Sequence, residues 1–168
     1  MKKTVRVIIR LVIILFVLYN FVWAAFVSIK YHPFMECNKG MKAYKTDEYT
    51  YYVKKPDYLS FTGNLSITEN IVTGYNKDYD YTGSLFIWPK FFNRYNVAFN
   101  VAETFVDYEQ QTQNTYSYGI MLDENRKPDF NVPGVYELYY EHEDLFDNPE
   151  LIDKLYSDAY KMWGILGP

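Results

Sequence analysis

Tyr95 to Ala102 reads YNVAFNVA, and Tyr116 to Asp123 reads YSYGIMLD. In the first stretch Tyr95, Val97, Phe99 and Val101 alternate with Asn96, Ala98, Asn100 and Ala102. In the second Tyr116, Tyr118, Ile120 and Leu122 alternate with residues such as Ser117 and Gly119. Successive side chains of a strand point to opposite faces, so each stretch builds one apolar and one wetter face. Between them lies the polar run EQQTQNT, residues 109–115. Two period-2 segments joined by a short polar loop predict an antiparallel pair with one solvated face.

Outward from this hairpin, Asp123-Glu124-Asn125-Arg126-Lys127-Pro128 reads as a turn, with a further short strand expected near Phe130. The segment 135–146, VYELYYEHEDLF, fits strand or helix. The last element reads as a helix. Asn148 is a natural N-cap, Pro149 suits the first helical position, and Glu150 suits the positive end of the dipole. Leu151, Ile152, Leu155, Tyr156, Ala159, Met162 and Trp163 recur at spacings of three and four, and Gly164 follows as the C-cap. Such a stripe predicts a face packed on the sheet.

On the N-terminal side, Leu59, Phe61, Leu65 and Ile67 share one parity and predict a half-buried strand over residues 58–67. Tyr79, Tyr81, Leu85 and Ile87 predict another over residues 79–88. Gly83 suggests a bulge within it, and Pro89 ends it. Residues 31–48 are polar and irregular and read as a stalk or an entry strand.

From Leu11 to Ile29 the chain has 19 residues without a charge, LVIILFVLYNFVWAAFVSI. As a helix they extend about 28 Å, close to the hydrocarbon thickness of a bilayer. Four basic residues precede them and Lys30 follows, so the positive-inside rule leaves the N-terminus in the cytoplasm and residues 31–168 outside. Trp23 and Tyr31 read as interfacial anchors. A cleaved signal peptide is the rival reading, with Val22-Trp23-Ala24 as a weak processing site. The apolar run is longer than a typical signal core, which favours a retained single-pass anchor in the cell membrane.

The 168 residues contain 19 Tyr and 12 Phe but one cysteine, Cys37, so no internal disulfide can form. Stability must come from aromatic burial, at roughly 150–250 Å² for each ring removed from water. Residues 1–30 hold five basic residues and no acid, whereas residues 31–168 hold the other 12 Lys and Arg and all 21 Asp and Glu. That asymmetry suits membrane topology and an acidic interaction surface, and it argues against nucleic acid as a partner.

The chain lacks a phosphate-binding glycine loop, a nucleophile elbow, paired cysteines and His-rich metal spacing. His142 lies in Glu141-His142-Glu143-Asp144, yet four consecutive residues cannot all face one ion, so no metal or cofactor is called for. Nothing beside Cys37 lowers its pKa. Hydrolysis by carboxylates alone would need two acids held across a cleft, and no pair stands out. The expectation is a protein without enzymatic activity.

Acid and tyrosine are interleaved instead. Residues 128–153 carry eight acids and no Lys or Arg, with Tyr136, Tyr139 and Tyr140 among them, and Asp78-Tyr79-Asp80-Tyr81 forms a second group. Tyrosine offers rigid contact area with a polar tip, and clustered carboxylates steer a basic partner. Residue by residue, a solvated surface and a Tyr-filled core account for the same pattern. Asp78, Asp80, Glu137, Glu141, Glu143 and Asp144 are the candidate partner-binding residues.

An anchored short chain with a Tyr-rich outer domain, the strand-turn Tyr118-Gly119-Ile120-Met121-Leu122-Asp123-Glu124-Asn125, and the closing Ala159-Tyr160-Lys161-Met162-Trp163-Gly164-Ile165 together resemble the TipC family of immunity proteins. The likeness covers roughly residues 80–166. It implies a Gram-positive cell and a protein outside the membrane that neutralises an LXG toxin delivered by type VII secretion, one that attacks lipid II. It implies no catalytic residue.

The expected fold is α+β: a transmembrane helix over residues 1–30, a stalk over 31–48, and an extracellular domain over 49–168. That domain would be a curved antiparallel sheet with the C-terminal helix packed on one face. The expected function is toxin binding. An anchored assembly partner in a surface complex is the alternative, and a carboxylate enzyme acting on wall or lipid substrates a third.

Overall fold

The computed structural model describes residues 3–32, 34, 44–45, 49–69, 73–76, 79–90, 94–107 and 112–167. Cys37 and Asp78 lie outside them. The chain opens with α1 (Lys3–Lys30), a helix long and apolar enough to cross a membrane. Seven strands follow: β1 (Tyr44–Lys45), β2 (Tyr49–Lys54), β3 (Asn64–Glu69), β4 (Thr73–Asn76), β5 (Tyr79–Pro89), β6 (Tyr95–Asp107) and β7 (Thr112–Leu122). Three helices close the described chain: α2 (Val135–Glu141), α3 (Glu143–Phe146) and α4 (Pro149–Trp163). The fold class is α+β.

All strands pair antiparallel in the order β1-β2-β3-β5-β6-β7. β4 pairs with the start of β5, and β3 pairs further along the same strand, so the two lie end to end on one edge of β5. Alternation puts one parity of each strand on a common face. Tyr51, Ile67, Leu85, Phe99 and Ile120 are register partners across five strands, and Val53, Leu65, Ile87, Val97 and Leu122 form the next rung. All ten are buried.

On that face α4 packs over β3 and β5 and α3 over β6, while α2 packs against β7 at the edge of the sheet. α4 forms as its residues predict: the Asn148 side chain accepts a hydrogen bond from Leu151 N–H, Pro149 opens the helix, and Gly164 ends it at φ 66°. Leu151, Ile152, Leu155, Tyr156, Ala159 and Trp163 are buried. At roughly 1.5–3 kcal/mol for each large apolar side chain removed from water, this stripe far outweighs the marginal helicity of so short a segment alone.

Three local expectations are corrected. The strand expected from residue 58 begins at Asn64, because residues 58–60 turn about Asp57 and Phe61 takes a left-handed φ of 57°. Leu59 is therefore 84% exposed instead of half-buried. Gly83 marks no bulge, since β5 and β6 stay in unbroken register through it. A Cβ there would sit 2.6 Å from Leu151 Cδ2, so glycine is the residue that lets α4 approach the sheet. Near Phe130 there is only a single bridge, Leu122 to Pro128, and the ambiguous 135–146 is helical. Of the segment read as a stalk or entry strand, Tyr31 and the short β1 are seen joined to the domain. Tyr31 is 1% exposed and donates to Gly63 O at 2.9 Å, and Tyr44 and Lys45 pair with β2.

Candidate partner-binding surface

β7 is the last strand of the sheet, and the chain leaving it is pinned at once. The Asp123 carboxylate accepts hydrogen bonds from the Asn125 and Lys127 N–H groups at 2.8 and 2.9 Å, and Asp129 N–H returns to Met121 O at 2.9 Å. Backbone hydrogen bonds then hold the carboxylate of Asp123 below the usual range. Gly134, at φ 85°, supplies the left-handed residue that redirects the chain into α2.

A seven-residue helix has no stability of its own. α2 is held by buried Val135 and by Leu138 and Tyr139 packed on the core. Its other sides face solvent. Tyr136 and Tyr140, one turn apart, are 57% and 53% exposed, with ring centroids 4.7 Å apart. Phe130, 48% exposed, lies 5.8 Å from Tyr136 and 6.2 Å from Tyr140. Glu137 and Glu141, also one turn apart, are exposed beside them.

α3 continues this pattern. His142 joins the two helices, its ring lying 3.9 Å from that of Tyr118, while Leu145 and Phe146 turn inward. Glu143 and Asp144 remain exposed. The carboxylates act on neighbouring hydroxyls: partial burial first, then Asp147 and Glu143, raise the pKa of Tyr139. Burial, then Glu103, Tyr116 and Glu141, raise that of Tyr118. Four of the six candidate residues, Glu137, Glu141, Glu143 and Asp144, thus sit exposed on two consecutive helices, Glu137 and Glu141 on the same helix as Tyr136 and Tyr140. Asp80 is on β5 opposite Thr104, with β6 between it and β7, so it belongs to a different part of the sheet.

Behind this crest lies an apolar groove of about 590 Å³, lined on the sheet side by Phe86, Trp88, Ala98 and Met121 and on the helix side by Val132 and Leu138. Phe86 and Trp88 stack at 6.2 Å. Sequence reasoning missed both the groove and the exposure of Phe130. Apolar residues of the unexpected parity, Phe86, Trp88 and Met121, were the available signal.

A larger cleft of about 770 Å³ adjoins the groove at the same end of β7, sharing Met121 and Val132 with it, and includes Arg94, Asp123, Glu124 and Arg126. Arg126 is engaged there already. It bonds Asp153 at 2.7 Å and Gly167 O at 2.9 Å and stacks on Tyr156 at 4.7 Å. Among the described residues no group of three His, Cys, Asp or Glu side chains is placed to hold a metal ion. Comparison of the chain with family models, curated proteins and solved structures finds no match.

Proposed function

We propose that this is a single-pass membrane protein whose C-terminal domain stands outside the cell and binds a protein partner through the α2–α3 crest. The partner class we propose is a secreted antibacterial toxin, which the protein neutralises by association. The observation carrying the binding reading is the exposed aromatic cluster of Phe130, Tyr136 and Tyr140, with exposed Glu137 and Glu141 on the same helix, Glu143 and Asp144 on the next, and an apolar groove beside it. Exposed aromatics beside a pocket are the usual anchors of a protein interface, and surrounding carboxylates speed encounter with a basic partner. The immunity role and the LXG toxin rest on the TipC-like pattern of residues 118–125 and 159–165. Topology rests on the basic cluster before Leu11.

The test is association of the full chain, in detergent or bilayer discs, with an LXG toxin encoded beside its gene. Association is expected to slow as salt rises, since exposed charges are screened beyond about 8–10 Å at physiological ionic strength. Joint replacement Glu141→Gln, Glu143→Gln and Asp144→Asn is expected to slow association and leave the unfolding midpoint unchanged. Tyr136→Ala with Tyr140→Ala is expected to speed dissociation. Salt-independent association with an unaffected triple variant refutes the acidic mechanism. No binding to such a toxin refutes the immunity role and advances the assembly-partner reading. A mature N-terminus at Ala25 would replace the anchor by a cleaved signal.

A further inference from the structure

We infer that the β2–β3 loop is a foot set into the outer leaflet, with Leu59 among the acyl chains, and that the bilayer covers residues 4–23 of α1. This rests on the topology proposed above. α1 is exposed on all sides from Thr4 to Leu18. From Tyr19 onward a stripe at positions 19, 23, 26, 27 and 30 is covered. The cover is the β2–β3 loop: Tyr19 donates its hydroxyl to the carbonyls of Tyr58 and Leu59, Trp23 Nε1 donates to Asp57 O at 3.2 Å, and Phe26 lies 5.6 Å from Phe61. Ile29 and Lys30, further along α1, line one pocket with Pro89, Lys90 and Tyr95 at the end of the sheet. The loop therefore reaches past the rest of the domain, down the helix toward the membrane.

Charge decides the depth. If residues 11–29 filled the hydrocarbon, Trp23 would lie six residues, about 9 Å, below the outer boundary. Asp57, which Trp23 touches, would be carried there with it. That carboxylate accepts hydrogen bonds from the Leu59 and Ser60 N–H groups at 3.0 and 2.7 Å and from the Ser60 and Thr62 hydroxyls. These bonds favour the charged carboxylate and hold its pKa down at about 2 in water, so carrying it into hydrocarbon means desolvating a charge. A charge at such depth costs several kcal/mol. Placing the boundary at Trp23 lessens that cost, brings Asp57 and Lys55 to the headgroup level, and leaves about 30 Å of helix from Thr4 to Trp23, enough to cross. Tryptophan favours that level. Arg6 and Arg10, one turn apart and exposed, then extend their long stems toward the cytoplasmic headgroups.

Tyr19 lies four residues, about 6 Å, below Trp23, and it holds the backbone of Leu59 at that level. Leu59 is the most exposed large apolar residue among those described, and lipid is the occupant that the continuity with α1 supplies. Lys54, Lys55, Lys90 and Arg94, all exposed at this end of the sheet, face anionic headgroups.

The test uses the full chain carrying Cys37→Ser and single cysteines labelled with an environment-sensitive fluorophore. In phosphatidylcholine–phosphatidylglycerol discs, lipids spin-labelled high on the acyl chain are expected to quench a probe at Leu59→Cys several-fold more than one at Glu124→Cys. Lipids labelled at the chain end are expected to quench Val12→Cys more than Asn20→Cys. A Leu59 probe as weakly quenched as that at Glu124, or deepest quenching at Asn20, overturns the inference. On protoplasts, Glu124→Cys is expected to react with a membrane-impermeant maleimide. Reaction there with an unquenched Leu59 probe overturns the inference alone, and no reaction overturns the topology and the inference together.

Discussion

Trp163 shows what one side chain does for the fold. It is 8% exposed and meets Tyr51 edge-on at 5.8 Å, so it locks the end of α4 to β2. Its indole N–H has no hydrogen-bond partner among the described residues. Trp163→Ala is expected to lower stability by about 3–5 kcal/mol, as large aromatic truncations do. Trp163→Phe, which loses no hydrogen bond, is expected to cost much less, and denaturant unfolding separates the two. The buried tyrosines add a pH dependence. Burial pushes the Tyr31 and Tyr156 hydroxyls up to about 12, the Gly63 hydrogen bond and the Arg126 guanidinium opposing it in each case. In the unfolded chain they ionise near the ordinary value of about 10. The folded chain then holds more protons between these values, so this stability is complete below about pH 10 and is lost as pH rises toward about 12. The unfolding midpoint is expected to fall across that window, and to fall less in Tyr31→Phe with Tyr156→Phe.

Among the elements, α4 is the one written most plainly in the chain, because its cap, its first residue, its stripe and its terminating glycine all agree. Asn148→Ala leaves Leu151 N–H without its side-chain acceptor and is expected to cost about 1 kcal/mol in denaturant unfolding. Asn148→Asp, which keeps an acceptor there, is expected to cost little. β6 and β7 were equally legible, since their alternation is sustained on both sides of a polar loop, and they run longer than the quoted stretches. β3 was not. Leu59 and Phe61 keep the parity of Leu65 and Ile67, yet the Asp57 carboxylate captures the next backbone N–H groups and bends the chain first. α2 was ambiguous because seven residues are too few for a period, and only packing on β7 selects the helix.

In the whole molecule the long apolar helix α1 and the domain share one core. Phe26 and Tyr31 are buried in the same cluster as the sheet and α4. A chain beginning at Ala25 keeps both residues, and a chain beginning at Met35 loses both. The second is expected to be less stable than the first by several kcal/mol, since each lost aromatic is a large core deletion. Equal unfolding midpoints would show that the domain folds without them. Composition and periodicity by themselves determined the apolar helix, the alternating strands, the capped α4 and the acidic bias of residues 128–153, because each depends only on neighbours within a few positions. They could name Tyr136, Tyr139 and Tyr140 as candidate contact area without showing that these gather on Phe130, a neighbour only after the chain has turned at Gly134. The end-to-end placement of β3 and β4 on β5, the close approach of α4 over Gly83, the groove behind α2 and the seating of Tyr19 and Trp23 on the β2–β3 loop were decided by the tertiary structure. Each joins residues far apart in the chain, and what selects such a pairing is the complementary shape and buried area of surfaces that exist only once the sheet has formed.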